Sequence, residues 1–142
     1  MKNTFLRLAV ISLLVMIMIS GTAFAAVVDD GDVIMPNYVG VSVTSVDLDI
    51  NSGLANCIGR VKTSGSHTAD VELSLMKKAS GSSSWSSVIT WGGNGSNVIF
   101  DKYQYVDSGY SYRVKLSADI YNSNGVLVDE VTEYSSTIIY NG

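Results

Sequence analysis

The chain has 142 residues, 46% of them hydrophobic, and carries 9 basic residues against 13 acidic ones. Because phosphate backbones and anionic membranes are bound through clusters of Lys and Arg, this balance argues against nucleic acid and anionic lipid surfaces as partners. Cys57 is the only cysteine, so an intramolecular disulfide is excluded and the fold must be stabilised by packing.

Residues 1–25 have the pattern of a secretory signal peptide. Lys2 and Arg7 precede an apolar run over residues 8–19, which is shorter than the roughly 20 residues that span a membrane. The sequence Ala-Phe-Ala at 23–25 then supplies an A-x-A cleavage site. We predict cleavage before Ala26, which removes two basic residues and no acid and leaves 117 residues with a formal charge of −6. The alternative is an uncleaved N-terminal anchor. We expect a secreted or loosely surface-associated protein with no membrane span in its mature form.

Residues 26–37 contain acids, a glycine and the only proline without a sustained period, which predicts a mobile leader. From residue 38 to 142, apolar and polar residues alternate in short runs that are separated by Ser, Asn, Gly and Asp clusters. This pattern predicts one all-β domain of seven antiparallel strands, typical of an immunoglobulin-like β-sandwich. The runs cover residues 39–50, 54–62, 69–77, 85–91, 97–106, 110–121 and 126–140.

The alternation also predicts which side chains are buried. In the second run Cys57 and Gly59 lie on a face of small residues, which indicates close packing between sheets. Cys57 is interpreted as a small buried hydrophobe, with a reactive or intermolecular thiol as the alternative. In the sixth run Tyr112 and Val114 belong to the buried face, whereas Arg113 belongs to the wet face.

Turn residues predict the connections. Residues 79–84 form a Ser/Gly hairpin loop and residues 92–96 a glycine-rich loop. The Asn-Gly dipeptide that ends residues 122–125 predicts a type I′ turn, because both of its central residues need positive φ. A change of phase near Asp129 predicts a β-bulge in the last strand.

Residues 106–112 have the pattern apolar-x-x-Gly-x-x-Tyr and resemble the tyrosine corner of fibronectin type III and immunoglobulin-like domains. The resemblance implies that the Tyr112 hydroxyl bonds to the backbone of its own corner. Cys57 resembles the first cysteine of the immunoglobulin disulfide, but Val114 stands where the second would be. An antibody-type domain is therefore disfavoured.

Residues 53–114 also resemble a group of small secreted bacterial proteins. The matching features are the pattern Gly-x-Ala-x-Cys-x-Gly at 53–59, Gly81-Ser82 followed by two tryptophans, and Gly-Tyr-Ser-Tyr-Arg-Val at 109–114. This resemblance implies a β-sandwich and no particular activity.

The residues needed for most catalytic and metal sites are missing. His67 is the only histidine and lies in a polar loop, whereas nucleophilic catalysis needs a histidine beside Ser or Cys and zinc needs three or four N or S ligands. The acids and glycine of residues 47–53 have some likeness to a calcium loop, but Ile58 stands where a bidentate Glu is required. We predict no catalytic residue, no metal and no cofactor, and interpret the chain as a non-enzyme.

Six aromatic residues in the second half are the one suggestive feature for function: Trp85, Trp91, Tyr103, Tyr105, Tyr110 and Tyr134. Those that project from a wet face would offer stacking surfaces for a glycan or a protein partner; the alternative is packing in the core. Trp85 and Trp91 are the predicted ligand-binding pair. The function predicted is a non-catalytic extracellular binding module, with a small secreted effector, such as a toxin or signalling protein, as the alternative.

Overall fold

A computed structural model describes residues 37–142, which form an all-β structure. Its strands are β1 (Val41–Asn51), β2 (Leu54–Thr63), β3 (Thr68–Ala79), β4 (Ser86–Gly95), β5 (Asn97–Tyr105), β6 (Tyr110–Tyr121), β7 (Leu127–Tyr134) and β8 (Ile138–Tyr140). The predicted signal peptide and all but the last residue of the predicted leader lie outside the described residues. Within residues 37–142 there is no helix capable of spanning a membrane.

The strands pair into two antiparallel sheets. One contains β1, β2 and β5 in that order; the other has the order β4-β3-β6-β7, and β8 pairs with the stretch of β6 that precedes its pairing with β7. The predicted all-β class is confirmed. The two antiparallel sheets are compatible with the predicted β-sandwich.

One hydrophobic core is built from the alternating residues that both sheets turn inward. Its fully buried members come mainly from the centres of the sheets: Ala55, Cys57, Val61, Leu73, Leu75, Val114, Leu116 and Ile120. The predicted buried faces of β2 and β6 are therefore confirmed.

Two hydrogen bonds to carboxylates of β7 also link it to β1 and to the turn before β1. Thr44 of β1 donates its hydroxyl proton to the Glu133 carboxylate, and the Val39 amide donates to Asp129 Oδ2 over 2.6 Å. Because β1 and β7 belong to different sheets, these bonds connect the two sheets along one edge.

The prediction of seven strands was wrong, since the described residues contain eight. The predicted last strand over residues 126–140 is divided into β7 and β8 by a break at residues 135–137. Ser135 replaces part of the interrupted ladder: its amide donates to the Val114 carbonyl, and its hydroxyl accepts from the Val114 amide. The backbone of β6 thus stays hydrogen-bonded where the strand breaks. A register shift opposite Ile120 and Tyr121 lies close to the bulge expected near Asp129.

The predicted glycine-rich loop at residues 92–96 was also wrong, because residues 92–95 continue β4. Gly92 and Gly93 pair with Glu72 and Val71 of β3, and only Ser96 separates β4 from β5. A Cβ atom on Gly93 would lie 3.0 Å from a Val98 methyl group. Glycine at this position therefore lets β5 side chains cross close to the β4 backbone.

The turn with two consecutive positive φ angles lies elsewhere than predicted. Ser52 and Gly53 join β1 to β2 with φ of 50° and 78°, as a type I′ turn requires. At residues 122–125 only Gly125 has positive φ, and the Asn122 side chain accepts from the amides of Asn124 and Val126. The Asn122 side chain stabilises this longer loop, so the type I′ prediction was wrong there.

Candidate functional site

Tyr112 and Cys57, the two residues singled out for structural roles, are both buried in the core. The Tyr112 hydroxyl donates to the Asp107 carbonyl over 2.8 Å and accepts from the Asp107 amide over 3.1 Å, which ties the strand to the connection before it. Burial is the main cause that raises the pKa of Tyr112. Burial raises the pKa of the Cys57 thiol to about 11, so the thiol stays protonated and unreactive near neutral pH.

His67 is held by its own loop. Its Nδ1 atom lies 2.8 Å from the Ser64 carbonyl oxygen, and its ring packs against Gly40, where an added Cβ would lie 2.7 Å from the ring. Within residues 37–142 no group of three or more His, Cys, Asp or Glu side chains is arranged to hold a metal ion.

The two tryptophans predicted to bind a ligand lie on opposite faces of the five-stranded sheet. Trp91 pairs with Leu73, and paired residues of antiparallel strands project to the same side, so Trp91 points towards the core and packs against it. Trp85 stacks on Arg113, whose cross-strand partner Met76 belongs to the outer set of residues. The two tryptophans therefore do not share one face of the sheet.

A cluster of cations and aromatic rings surrounds Trp85 on the outer face. The Arg113 guanidinium lies 4.2 Å from the ring centroid of Trp85 and 4.2 Å from that of Tyr134. The Lys78 ammonium lies 5.1 Å from the Trp85 centroid. These distances are within the range of cation–π attraction. We call these four residues, Lys78, Trp85, Arg113 and Tyr134, the Trp85 patch.

Strand alternation places the members of this patch. Lys78 and Arg113 follow the outward phase of β3 and β6, and β7 contributes Tyr134, which pairs with the outward Lys115. Trp85 lies immediately before β4 and folds over this surface. Three adjacent strands and one loop end thus bring together residues that are up to 56 positions apart in the chain.

Arg113 is held without a carboxylate opposite it. Its Nε atom is buried and has no hydrogen-bond partner among the described residues. Arg113 pairs with Met76 of β3. Lys115, the next outward residue of β6, pairs with Ser74 and with Tyr134. The patch is therefore locally cationic, although the chain as a whole is acidic.

A cavity of about 200 Å³ adjoins the patch and shares Lys78 with it. Its lining is rich in small polar groups, including the side chains of Ser80, Ser82, Ser111 and Asn141. Ala79, Tyr110 and Ile139, an exposed residue of β8, are its apolar lining residues. The patch and the cavity together form a continuous surface at one end of the five-stranded sheet.

The opposite end of the same face is acidic. Asp119 of β6 pairs with Asp70 on the neighbouring strand β3 and with Glu130 on the other neighbour, β7. Asp70, Glu72 and Asp119 line an open depression beside Gly92. Like charges opposite each other are unfavourable unless solvated, and this open depression leaves them accessible to water.

Three other aromatic residues from the sequence prediction do not belong to the patch. Tyr103 and Tyr105 are exposed on β5 of the other sheet, where the Tyr103 hydroxyl lies 3.4 Å from the Asn56 side-chain nitrogen. Tyr110 packs against the core and lies beneath the Lys77 ammonium at 4.8 Å.

No protein-family model, curated protein or solved structure matches this chain. The candidate site is therefore interpreted from its own geometry.

The sequence pattern identified Trp85 but did not identify its partners. Alternation placed Arg113 on a wet face, which is confirmed, but did not reveal that Lys78 and Tyr134 lie beside it. Only the order β3-β6-β7, which the sequence does not specify, brings these side chains together.

Proposed function

We propose that this protein is a non-catalytic extracellular binding module that recognises a glycan or a protein surface through the Trp85 patch. The single observation that supports this most is the stack of Trp85, Arg113 and Tyr134 on a solvent-facing sheet surface. Exposed aromatic rings and arginine are the residue types that dominate binding surfaces, because they offer large contact area with few rotatable bonds.

The proposed scaffold is a fibronectin type III-like sandwich, delivered outside the cell by the N-terminal signal peptide. In the constant-type immunoglobulin arrangement the fourth strand joins the sheet of the first, second and fifth strands. Here β4 pairs with β3, which favours the fibronectin type III-like alternative. The hydrogen bonds from Tyr112 to Asp107 also support this proposal. Fold likeness alone does not assign a ligand, so the binding proposal rests on the patch.

The test is binding of the mature protein, beginning at Ala26, to an array of glycans and to isolated cell-surface proteins. Trp85→Ala and Tyr134→Ala should each weaken binding by roughly tenfold or more, as truncation of a central aromatic does at many interfaces. Tyr103→Ala is the matched control, because it removes an exposed aromatic from the other sheet.

Equal loss of binding in the control variant would contradict a role specific to the Trp85 patch. Growth inhibition of neighbouring cells by the purified protein, with no detectable binding on the arrays, would instead support a secreted effector.

A further inference from the structure

The Arg113 guanidinium is placed over two aromatic rings. Its central carbon lies 4.2 Å from the ring centroids of both Trp85 and Tyr134. The N–H groups of a guanidinium match the oxygens of a carboxylate or phosphate. Because Arg113 Nε is buried, its terminal Nη groups are the donors assigned to an oxyanion, and contact with two rings limits the positions that they can take.

The charge around this group favours an anion at short range. The outward acid of this sheet that lies nearest to the patch is Glu72, which is six residues from Lys78 on β3, about 20 Å. Glu72 pairs with Ser117, which is four residues from Arg113 on β6, about 13 Å. Both separations exceed the Debye length of roughly 8 Å at physiological salt, so these acids are screened and Lys78 and Arg113 determine the local potential.

The adjoining cavity indicates what carries the oxyanion. The hydroxyls of Ser80 and Ser111 and the Asn141 amide can both donate and accept hydrogen bonds, which suits the hydroxyl groups of a sugar. Tyr134 is 47% exposed and offers a ring surface for stacking. A poly-glutamate peptide would satisfy the cations through its carboxylates, but it offers no sugar ring for stacking on Tyr134.

We propose that the Trp85 patch and its cavity bind an acidic glycan, in which a sugar unit bearing a carboxylate or phosphate is placed against Arg113 and Lys78. This inference rests on the proposed binding function and specifies its ligand class. Arg113 contacts the oxyanion, and the serine-lined cavity receives hydroxyl groups of the same or the adjoining sugar.

The test is calorimetric titration of the mature protein with tetragalacturonate, with its fully methyl-esterified form, and with a phosphomannan oligosaccharide. Esterification removes the charge but keeps the sugar rings, so the ester should bind at least about tenfold more weakly, as expected for losing charge-assisted hydrogen bonds. Arg113→Gln should reduce binding of the charged glycan by a similar factor, and Lys78→Gln should reduce it by less. Arg60→Gln is the matched control, because it removes one positive charge from the outer face of the other sheet.

Arg113→Lys separates the effect of charge from that of geometry, and a thermal melt of each variant verifies that it is folded. The lysine variant should recover only part of the affinity, because it keeps the charge but loses the planar fork. Binding of tetragalacturonate or of the phosphomannan supports the inference, and which of them binds distinguishes carboxylate from phosphate.

Equal affinity for the charged and esterified forms would overturn the inference while leaving the proposed binding function intact, as would binding of a poly-glutamate peptide in preference to any glycan. If no glycan, peptide or cell-surface protein binds, the proposed function itself fails.

Discussion

Replacement of Gly59 by alanine tests how closely the two sheets pack. Gly59 lies on β2, and a Cβ atom at this position would lie 2.5 Å from Leu73 Cδ1 and 3.0 Å from Leu116 Cδ1, both on the opposite sheet. A real Cβ contact is never as close as 2.5 Å, so Leu73 must move. Because Leu73 and Leu116 are completely buried, the neighbouring core side chains must accommodate that movement.

The expected cost follows from two opposing effects. Overpacking a core typically costs about 1–3 kcal/mol, while alanine restricts the unfolded chain relative to glycine and recovers about 0.4–1 kcal/mol. The free energy of unfolding should therefore fall by about 1–2 kcal/mol. For a domain of this size, that corresponds to a decrease in Tm of roughly 5–10 °C.

The assay is thermal unfolding followed by circular dichroism, with Gly92→Ala as the matched control. Gly92 is also a strand glycine, but a Cβ atom there would meet nothing within 4 Å and φ is not positive. The control should keep or slightly raise the Tm, because only the unfolded-state effect remains. If Gly59→Ala is as stable as Gly92→Ala, the proposed close approach of β2 to the opposite sheet is wrong.

Four further predictions concern the core, the corner and the tryptophans. Cys57 should not react with iodoacetamide in the folded protein at pH 8, because its raised pKa of about 11 keeps the thiol protonated. It should react when urea unfolds the chain, and mass spectrometry measures the alkylated fraction in each state. The free energy of unfolding should fall as pH rises from about 9 through 11, because the Cys57 thiol ionises at a lower pH in the unfolded chain than in the folded protein. A free energy of unfolding from urea melts that does not change with pH over this range would contradict this. Tyr112→Phe should cost about 1–2 kcal/mol in urea unfolding by leaving the Asp107 amide and carbonyl without their partner, and an unchanged midpoint would refute that role. Trp91→Ala should lower the Tm more than Trp85→Ala does, since of the two only Trp91 packs against the core. A larger decrease in Tm for Trp85→Ala would contradict the placement of Trp91 on the inner face and Trp85 on the outer face.

The elements could be predicted from the sequence where one face of a strand is buried and the other is wet. In β6, Tyr112 and Val114 alternate with Arg113, and the observed burial follows that alternation. Prediction from the sequence failed at Gly92 and Gly93. Glycine is interpreted as a turn residue when the side chains that pack against it in the fold are unknown. Here glycine is required by side chains from β5, which the local sequence does not reveal.

The break between β7 and β8 has a similar origin. Alternation continues weakly across residues 126–140, so the sequence predicts one strand. The break is stabilised by Ser135, whose amide and hydroxyl both bond to Val114 on β6. This partner is 21 residues away in the chain, and only the pairing of the sheet brings it within reach.

The candidate site is determined by the sheet more than by any local motif. Tyr112 and Arg113 are consecutive on β6, so they project to opposite faces: Tyr112 anchors the corner at Asp107 inside, and Arg113 stacks outside. The hydrogen bonds that fix the start of β6 therefore also fix the position of the guanidinium relative to Trp85 and Tyr134. Under the proposed binding of an oxyanion at Arg113, loss of the corner is expected to weaken binding without changing any residue that touches the ligand.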